Sequence, residues 1–210
     1  MLTKREQIIN EVWSAITHGV GVALAIAALV LLEIKAAGNH APLQATVFAI
    51  YGVTLILLFL FSTLFHSLYF TRAARFFQIL DHCSIYLLIV GTYTPYCLLA
   101  IPGLKGIVIL IMIWSLGIGG ALYHIIGNNR SQAIETLIYI GMGWLCLCGG
   151  RQLFQSLGVT GLLLLVSGGI LYTVGAWIYS RKWGRYSHVL WHLFVLAGAT
   201  SMFFSLYLYI

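Results

Sequence analysis

The chain has 210 residues, of which 61% are hydrophobic and 8% are charged, and its formal net charge is +6. Soluble domains carry about a quarter charged residues, so this composition excludes an ordinary soluble enzyme and indicates an integral membrane protein. Hydrophobic runs recur along the whole length and are separated by short polar connections. Residues 1–210 are therefore expected to form a single membrane domain, without a separate soluble domain.

Apolar runs of about 20 residues, the length at which a helix crosses a bilayer, predict an all-α bundle of seven transmembrane helices. The predicted spans are 13–34, 43–66, 81–101, 106–126, 134–153, 160–180 and 188–209. The connections, such as "AAGNHAP" and "SRKWGRYS", contain residues typical of loops. Pro95, in "GTYTPY", is expected to kink the third span and free a backbone carbonyl there.

An odd number of spans places the two termini on opposite sides of the membrane. Eight of the eleven lysines and arginines fall on the N-terminal side: Lys4, Arg5, Arg72, Arg75, Arg130, Arg181, Lys182 and Arg185. Cytoplasmic loops carry the excess of positive charge, so this bias predicts a cytoplasmic N-terminus and an external C-terminus in a multi-pass protein of the cell inner (plasma) membrane. The bias also accounts for the net charge, so no nucleic-acid partner is expected.

The four cysteines, Cys83, Cys97, Cys146 and Cys148, fall in or beside apolar runs. They are expected to be reduced and packed, and to form neither disulfides nor metal sites.

Several ionisable residues are predicted to meet at one depth in the membrane, where such groups are costly and are candidates for function. His66 ends the second span, Asp81 begins the third, and His188 and His192 open the seventh, all on the cytoplasmic side. His188 and His192, in "SHVLWHLF", are four residues apart and therefore lie on one helix face. Four groups from three helices should thus converge just inside the inner leaflet.

Three neutral imidazoles with an open fourth position are the ligand set of a catalytic zinc ion. The sequence therefore predicts that His66, His188 and His192 bind Zn²⁺ and that Asp81 holds the metal-bound water. Ser62 lies four residues before His66 on the same helix face, where it would supply a hydrogen bond or contact a substrate. Each residue also has a simpler interpretation. His66 could be an interfacial histidine, Asp81 a carboxylate at a helix start, and the histidine pair a haem ligand.

The remaining ionisable residues are weaker candidates. Glu11, Ser14 and His18, in "EVWSAITHGVG", share one helix face and either line the same cavity or form a polar helix start followed by a buried histidine. The others are interpreted as structural: His82 and His124 as interfacial, Glu135 as a helix-start carboxylate and His40 as an external loop residue.

The motifs together resemble a known family. "EVWSAITHGVG", "STLFHSLYF", "FFQILDHCSIYLLIVGTYTPY", "GMGWL" and "YSHVLWHLFVLAG" are similar, in order and spacing, to those of the bacterial hemolysin III type membrane proteins. That group belongs with the progestin and adipoQ receptors (PAQR), and more distantly with alkaline ceramidases, in a superfamily of hydrolase-like seven-helix membrane proteins. The resemblance covers nearly the whole chain.

The resemblance implies a role for each site residue. Ser62 and His66 match a serine-x-x-x-histidine motif of the family, Asp81 matches its third-span aspartate, and His188 and His192 match its seventh-span histidine pair. In relatives the three histidines bind zinc near the cytoplasmic face and the aspartate contacts a zinc-bound water. Receptor relatives have been linked to ceramide cleavage, and bacterial members to membrane-lipid homeostasis.

Two functions from different classes follow. The first is a zinc-dependent hydrolase of a lipid amide or ester, ceramidase-like and acting in membrane-lipid homeostasis, with a membrane lipid as substrate and Asp81 as general base and acid. The alternative is a receptor-like sensor or regulator of membrane state in which zinc is structural and a lipid is the ligand. A direct Asp81–zinc bond would favour the second function, because structural zinc usually has all four positions filled by protein. A retinal-binding pump would need a lysine within a span, and no lysine lies inside the predicted spans.

Overall fold

The computed structural model describes residues 3–127, 131–181 and 184–210, and within these ranges the chain is helical and contains no β-strand. The α-helices are α1 (Lys4–Gly38), α2 (Pro42–Ser67), α3 (Ala74–Pro95), α4 (Leu104–Ile126), α5 (Gln132–Trp144), α6 (Gly150–Arg181) and α7 (Ser187–Tyr209). A π-helical turn, Tyr96–Ala100, follows α3, and a 3₁₀ segment, Leu145–Gly149, joins α5 to α6.

By length and composition, six helical stretches in the described part of the chain are able to cross a membrane. They are Lys4–Gly38, Pro42–Ser67, Ala74–Ala100, Leu104–Ile126, Gln132–Arg181 and Ser187–Tyr209. The all-helical membrane architecture predicted from the sequence is therefore confirmed.

The stretch Gln132–Arg181 is interrupted at Gly158, whose φ of 64° and ψ of −171° are not helical. Glycine adopts positive φ without the steric cost that a Cβ atom imposes. The indole Nε1 of Trp144 donates a hydrogen bond to Thr173 Oγ1 at 3.0 Å. In an unbroken helix a separation of 29 positions would place these side chains roughly 40 Å apart. The chain therefore folds back on itself at Gly158.

Side-chain contacts at the helix ends fix how the bundle is arranged. Asn10 Nδ2, near the start of α1, donates to the Arg185 carbonyl, just before α7, at 2.7 Å. At the opposite end, Gln44 Nε2 donates to the Ile210 carbonyl at 2.8 Å, and Lys35 Nζ donates to the Tyr207 carbonyl at 2.6 Å. The two described chain ends therefore lie at opposite ends of the bundle. We call the end at which α1 begins the N-terminal end.

Eight basic residues carry the orientation prediction. Six of them are described, and the other two, Arg130 and Lys182, lie outside the described residues. The Gln7 side chain donates to the Tyr69 hydroxyl at 2.9 Å, which brings the connection between α2 and α3 to the N-terminal end.

Glycines allow the helices to pack closely around large buried side chains. A Cβ atom at Gly120 would collide with the Tyr86 ring, and a Cβ atom at Gly91 would collide with Thr54. Close backbone approach of this kind drives helix association in a membrane, where apolar side chains gain little by leaving lipid for protein. Tyr86 is almost fully buried as a result.

The first residues of α1 and α3 and the exposure of one cysteine differ from the prediction. α1 begins at Lys4 instead of residue 13, because Thr3 and Glu6 form a capping box that starts the helix within the polar segment. α3 begins at Ala74, before Asp81, and passes through Pro95 into the π-helical turn. None of the four cysteines, all within the described residues, forms a disulfide, but Cys148 in the 3₁₀ segment is exposed and not packed as predicted.

Candidate metal centre

Three imidazoles from two helices converge at the N-terminal end of the bundle. His66 lies in the last turn of α2, and His188 and His192 lie in the first turns of α7. The Nε2 atom of His188 is 3.0 Å from that of His66 and 3.1 Å from that of His192. One nitrogen from each ring lies within 4.8 Å of the others. The structure thus brings together the three histidines that the sequence singles out as ligands.

The opposite nitrogens of two of these rings are held by α1. His66 Nδ1 lies 2.6 Å from the Glu11 carboxylate, and His192 Nδ1 lies 3.2 Å from the Ser14 carbonyl and 3.3 Å from Thr17 Oγ1. The carboxylate and the carbonyl accept hydrogen bonds, so each Nδ1 carries the proton. Each Nε2 therefore presents a lone pair toward the cluster.

The number of protons that the three Nε2 atoms can share favours a cation at the cluster. His188 Nε2 lies between the Nε2 atoms of His66 and His192, and it can hold at most one proton. One N–H can satisfy only one of these two close contacts. At the other contact two nitrogen lone pairs face each other about 3 Å apart. This arrangement is repulsive unless a positive ion lies between the two nitrogens. The donor set therefore fits a metal ion that prefers imidazole nitrogen, such as zinc.

Asp81 and Ser62 lie beside the cluster and are not members of it. Asp81 is in the third turn of α3, and the buried Ser62 side chain approaches its carboxylate. Both residues line a cavity of about 50 Å³ together with His188 and His192. Among the described residues, only His66, His188 and His192 form a group with ligand atoms this close together. The protein therefore places three nitrogens that could hold a metal ion close together, with a carboxylate nearby.

A second buried pair lies beside this cavity, and one of its members, Glu135, lines the cavity wall. His124 Nδ1, near the end of α4, lies 2.7 Å from the Glu135 carboxylate in the first turn of α5, and both residues are buried. His82 stacks on His124 with ring centroids 4.9 Å apart. The prediction that His124 is interfacial is wrong, because α4 and α5 enclose it. Glu135 starts a helix as predicted, and His40 is exposed at the end of α1.

The polar face of α1 contacts the histidine cluster, and of its three residues only His18 lines the cavity. Glu11 and Ser14 hold the histidine rings, and His18 stacks on His192 with centroids 3.5 Å apart and planes inclined by 7°. Sequence reasoning missed Thr17. Thr17 directly precedes His18 in the sequence, and this neighbouring position could have indicated its contact with the cluster.

A larger apolar chamber of about 120 Å³ adjoins the polar cavity. Six residues line both spaces: Leu58, Ile85, Tyr139, Ala176, Trp191 and Val195. Beyond them the chamber extends past Tyr93 to the π-helical turn at Tyr96 and Cys97. A polar pocket next to a long apolar one suits an amphipathic ligand.

Comparison with known proteins gives consistent similarities. Residues 6–203 match the profile of the family described as "Haemolysin-III related". The chain is 42% identical over 210 residues to "Hemolysin-3" of Bacillus cereus, an alignment that spans all of this chain and 96% of that protein. It is likewise 42% identical over 209 residues to the "Hemolysin-3 homolog" of Bacillus subtilis (strain 168). A more distant similarity, 27% over 169 residues, is to "Monocyte to macrophage differentiation factor" of Homo sapiens and spans 77% of this chain and 69% of that protein.

Proposed function

The chain is a member of the haemolysin-III related family, and from this membership and its three-histidine cluster we propose that it is a zinc-dependent membrane hydrolase of a lipid amide or ester. The resemblance to hemolysin III proteins and to the PAQR group is confirmed by the comparisons. The reaction itself is argued from the site.

The proposed topology has seven spans, with the N-terminus in the cytoplasm and the protein in the inner (plasma) membrane. The reversal at Gly158 supports this count, because it divides Gln132–Arg181 into 26 residues before the glycine and 23 after it. Each part is long enough to cross the hydrocarbon core. The basic residues near the N-terminal end support the orientation. The histidine cluster would then lie at the depth of the inner-leaflet headgroups.

The convergence of three Nε2 atoms is the observation that carries the proposal. His66, His188 and His192 would hold Zn²⁺, with Glu11 and the Ser14 carbonyl fixing the rings. Zinc with three protein ligands supplies Lewis-acid activation of water and of a carbonyl group. Asp81 lies outside the ligand group, as expected for an open site and not for a closed structural one.

Asp81 would act as the general base and acid of the hydrolysis. Its carboxylate lines the same cavity as His188 and His192, so it would take a proton from the attacking water and return it to the leaving amine or alcohol. The Ser62 hydroxyl approaches this carboxylate and would keep it oriented toward the cavity. These are the roles that we assign to the two residues.

The apolar chamber supports a lipid as the substrate. An acyl chain lying between Tyr93 and Trp191 would place its carbonyl at the polar cavity, where the two spaces meet beside Ala176. The substrate class would then be a membrane lipid whose linkage already lies near the headgroups, consistent with a role in lipid homeostasis.

The alternative is a sensor or regulator of membrane state in which zinc is structural. The feature that favours it is the way in which the cluster and its hydrogen bonds connect α1, α2 and α7. An ion at this junction would stabilise the bundle whether or not any lipid is cleaved.

One experiment separates the two functions. Purified protein is incubated with a panel of amide- and ester-linked lipids, and the released fatty acid and the bound zinc are both measured. We expect release that is lost on chelation and lost in Asp81→Ala while zinc content is retained. Glu6→Gln, which removes a negative charge outside the cavity and can keep the hydrogen bond of the capping box, is the matched control. Full zinc occupancy without release of any fatty acid, together with a lower melting temperature on chelation, would establish the structural role instead.

A further inference from the structure

One face of α1 contains buried polar atoms that make no hydrogen bond with any described residue. Asn10, Ser14 and His18 are spaced four residues apart, and all three are buried. The atoms without a partner are Asn10 Oδ1, Ser14 Oγ and both ring nitrogens of His18. They are four of the seven such atoms in the described part of the chain. The unsatisfied polar atoms are therefore concentrated on this face.

Native proteins pair nearly all their buried polar atoms, with protein or with ordered water. In the hydrocarbon region the requirement is stricter, because bulk water does not reach such groups. The unpaired polar atoms of Asn10, Ser14 and His18 form a row along α1, which we call the file. The file is thus a site for a small polar ligand.

The file begins at the protein surface. Asn10 Nδ2 donates to the Arg185 carbonyl, and the Arg185 side chain is exposed at the N-terminal end. The file ends at His18, which stacks on the cluster residue His192. Beyond His18 the same face is closed, because a Cβ atom at Gly21 would lie 2.5 Å from the Phe59 ring. The next buried residue of that face, Ala25, is apolar.

The spacing fits water. Residues four apart on a helix are separated by about 6 Å along its axis. A water molecule that bonds two oxygens holds them about 4.5 Å apart at its tetrahedral angle and at most about 5.5 Å apart, since each O–H···O bond is about 2.75 Å long. One water between successive members would therefore satisfy the unpaired atoms, in keeping with the three or so hydrogen bonds that a buried water makes.

We propose that Asn10, Ser14 and His18 bind a file of water molecules that connects the surface at the N-terminal end to the histidine cluster. This hydration path does not depend on the proposed reaction. If the protein is a hydrolase, the path brings water to the site from the side opposite the apolar chamber. If the zinc is structural, the same residues still hold the water.

Cysteine reactivity tests the path. Ser14→Cys is compared with Ala25→Cys, which puts a thiol on the same face of α1 beyond the Phe59 barrier. Each variant is treated with methyl methanethiosulfonate, which reacts with the thiolate. A thiolate forms readily in a hydrated position and poorly in an apolar one. The segment between Arg5 and Lys35 contains no native cysteine, so modification is counted there by mass spectrometry.

We expect the thiol at position 14 to react at least about tenfold faster than the thiol at position 25, because only the first is hydrated. Equal, slow rates at the two positions would overturn the proposal. The native, buried Cys97 reports folding, since it stays unmodified in an intact bundle.

A second measurement needs no variant. Radiolysis of bound water in the wild-type protein oxidises the side chains beside it. We expect oxidation of His18 although only 3% of its surface is exposed, and none of the similarly buried Phe48. An unoxidised His18 would show that this face of α1 is dry.

Discussion

The Glu11 carboxylate lies 2.6 Å from Nδ1 of His66, on a different helix. A carboxylate in this position fixes the tautomer and the orientation of a metal-binding imidazole and raises its basicity. Glu11 is thus the group through which α1 holds His66, the candidate ligand on α2.

Replacing Glu11 with Gln should weaken zinc binding by about 10- to 100-fold, because the amide is a poorer acceptor than the carboxylate. Competition with a chromophoric chelator measures the affinity. Glu6→Gln is the control, since Glu6 pairs with Arg185 on the surface and contacts no histidine of the cluster. Equal zinc affinities in wild type and Glu11→Gln would show that Glu11 does not contribute to metal binding.

Single alanine substitutions of His66, His188 and His192 should each greatly reduce the zinc content of the purified protein, since two ligands hold the ion far less tightly than three. Elemental analysis gives the stoichiometry. His82→Ala is the matched control, because His82 lines the same cavity but lies outside the ligand group. If the alanine variants of His66, His188 and His192 carry as much zinc as wild type, the ligand assignment is incorrect.

Zinc should raise the melting temperature of the wild-type protein. A ligand that binds only the folded state adds about 4 kcal/mol of stability when its free concentration is 1,000 times its Kd. Thermal unfolding in detergent with buffered zinc, and again with a chelator, measures the shift. His192→Ala should show no shift, and a shift of equal size in that variant would mean that the stabilising ion binds elsewhere.

The buried His124–Glu135 pair should contribute measurably to stability. Glu135→Ala is expected to cost about 3–5 kcal/mol, because it removes one partner of a buried pair. The double substitution with His124→Ala should cost less than the sum of the single ones, and chemical unfolding measures each value. Strictly additive costs would show that the two side chains do not interact.

Ala176→Phe should change which lipids the protein accepts. Ala176 borders both the polar cavity and the apolar chamber, so a ring there would narrow the junction. We expect a shift toward shorter acyl chains with unchanged zinc content, measured as fatty acid released from lipids of graded chain length. An unaltered chain-length preference would place the acyl chain outside the chamber.

The histidine cluster could be predicted from the sequence because two local rules were sufficient. Helical spacing places His188 and His192 on one face, and the order of the spans places His66 at the same end of the bundle. Neither rule requires knowledge of how the helices are rotated.

The other parts of the site depend on rotation and on long-range packing. Whether His124 faces lipid or Glu135 depends on how α4 turns against α5, which a short apolar pattern does not determine. The support of His192 by the Ser14 carbonyl is a backbone contact and leaves no mark in the residue types. The reversal at Gly158, by contrast, falls in the connection that the sequence predicts between the spans 134–153 and 160–180.

The two ring supports on α1 have a mechanical consequence. Glu11 and the Ser14 carbonyl are less than one turn apart, and they hold imidazoles that are far apart in the sequence, His66 and His192. A small translation or rotation of α1 would therefore displace both rings at once. Motion of this one helix would be enough to weaken the binding of an ion at the cluster.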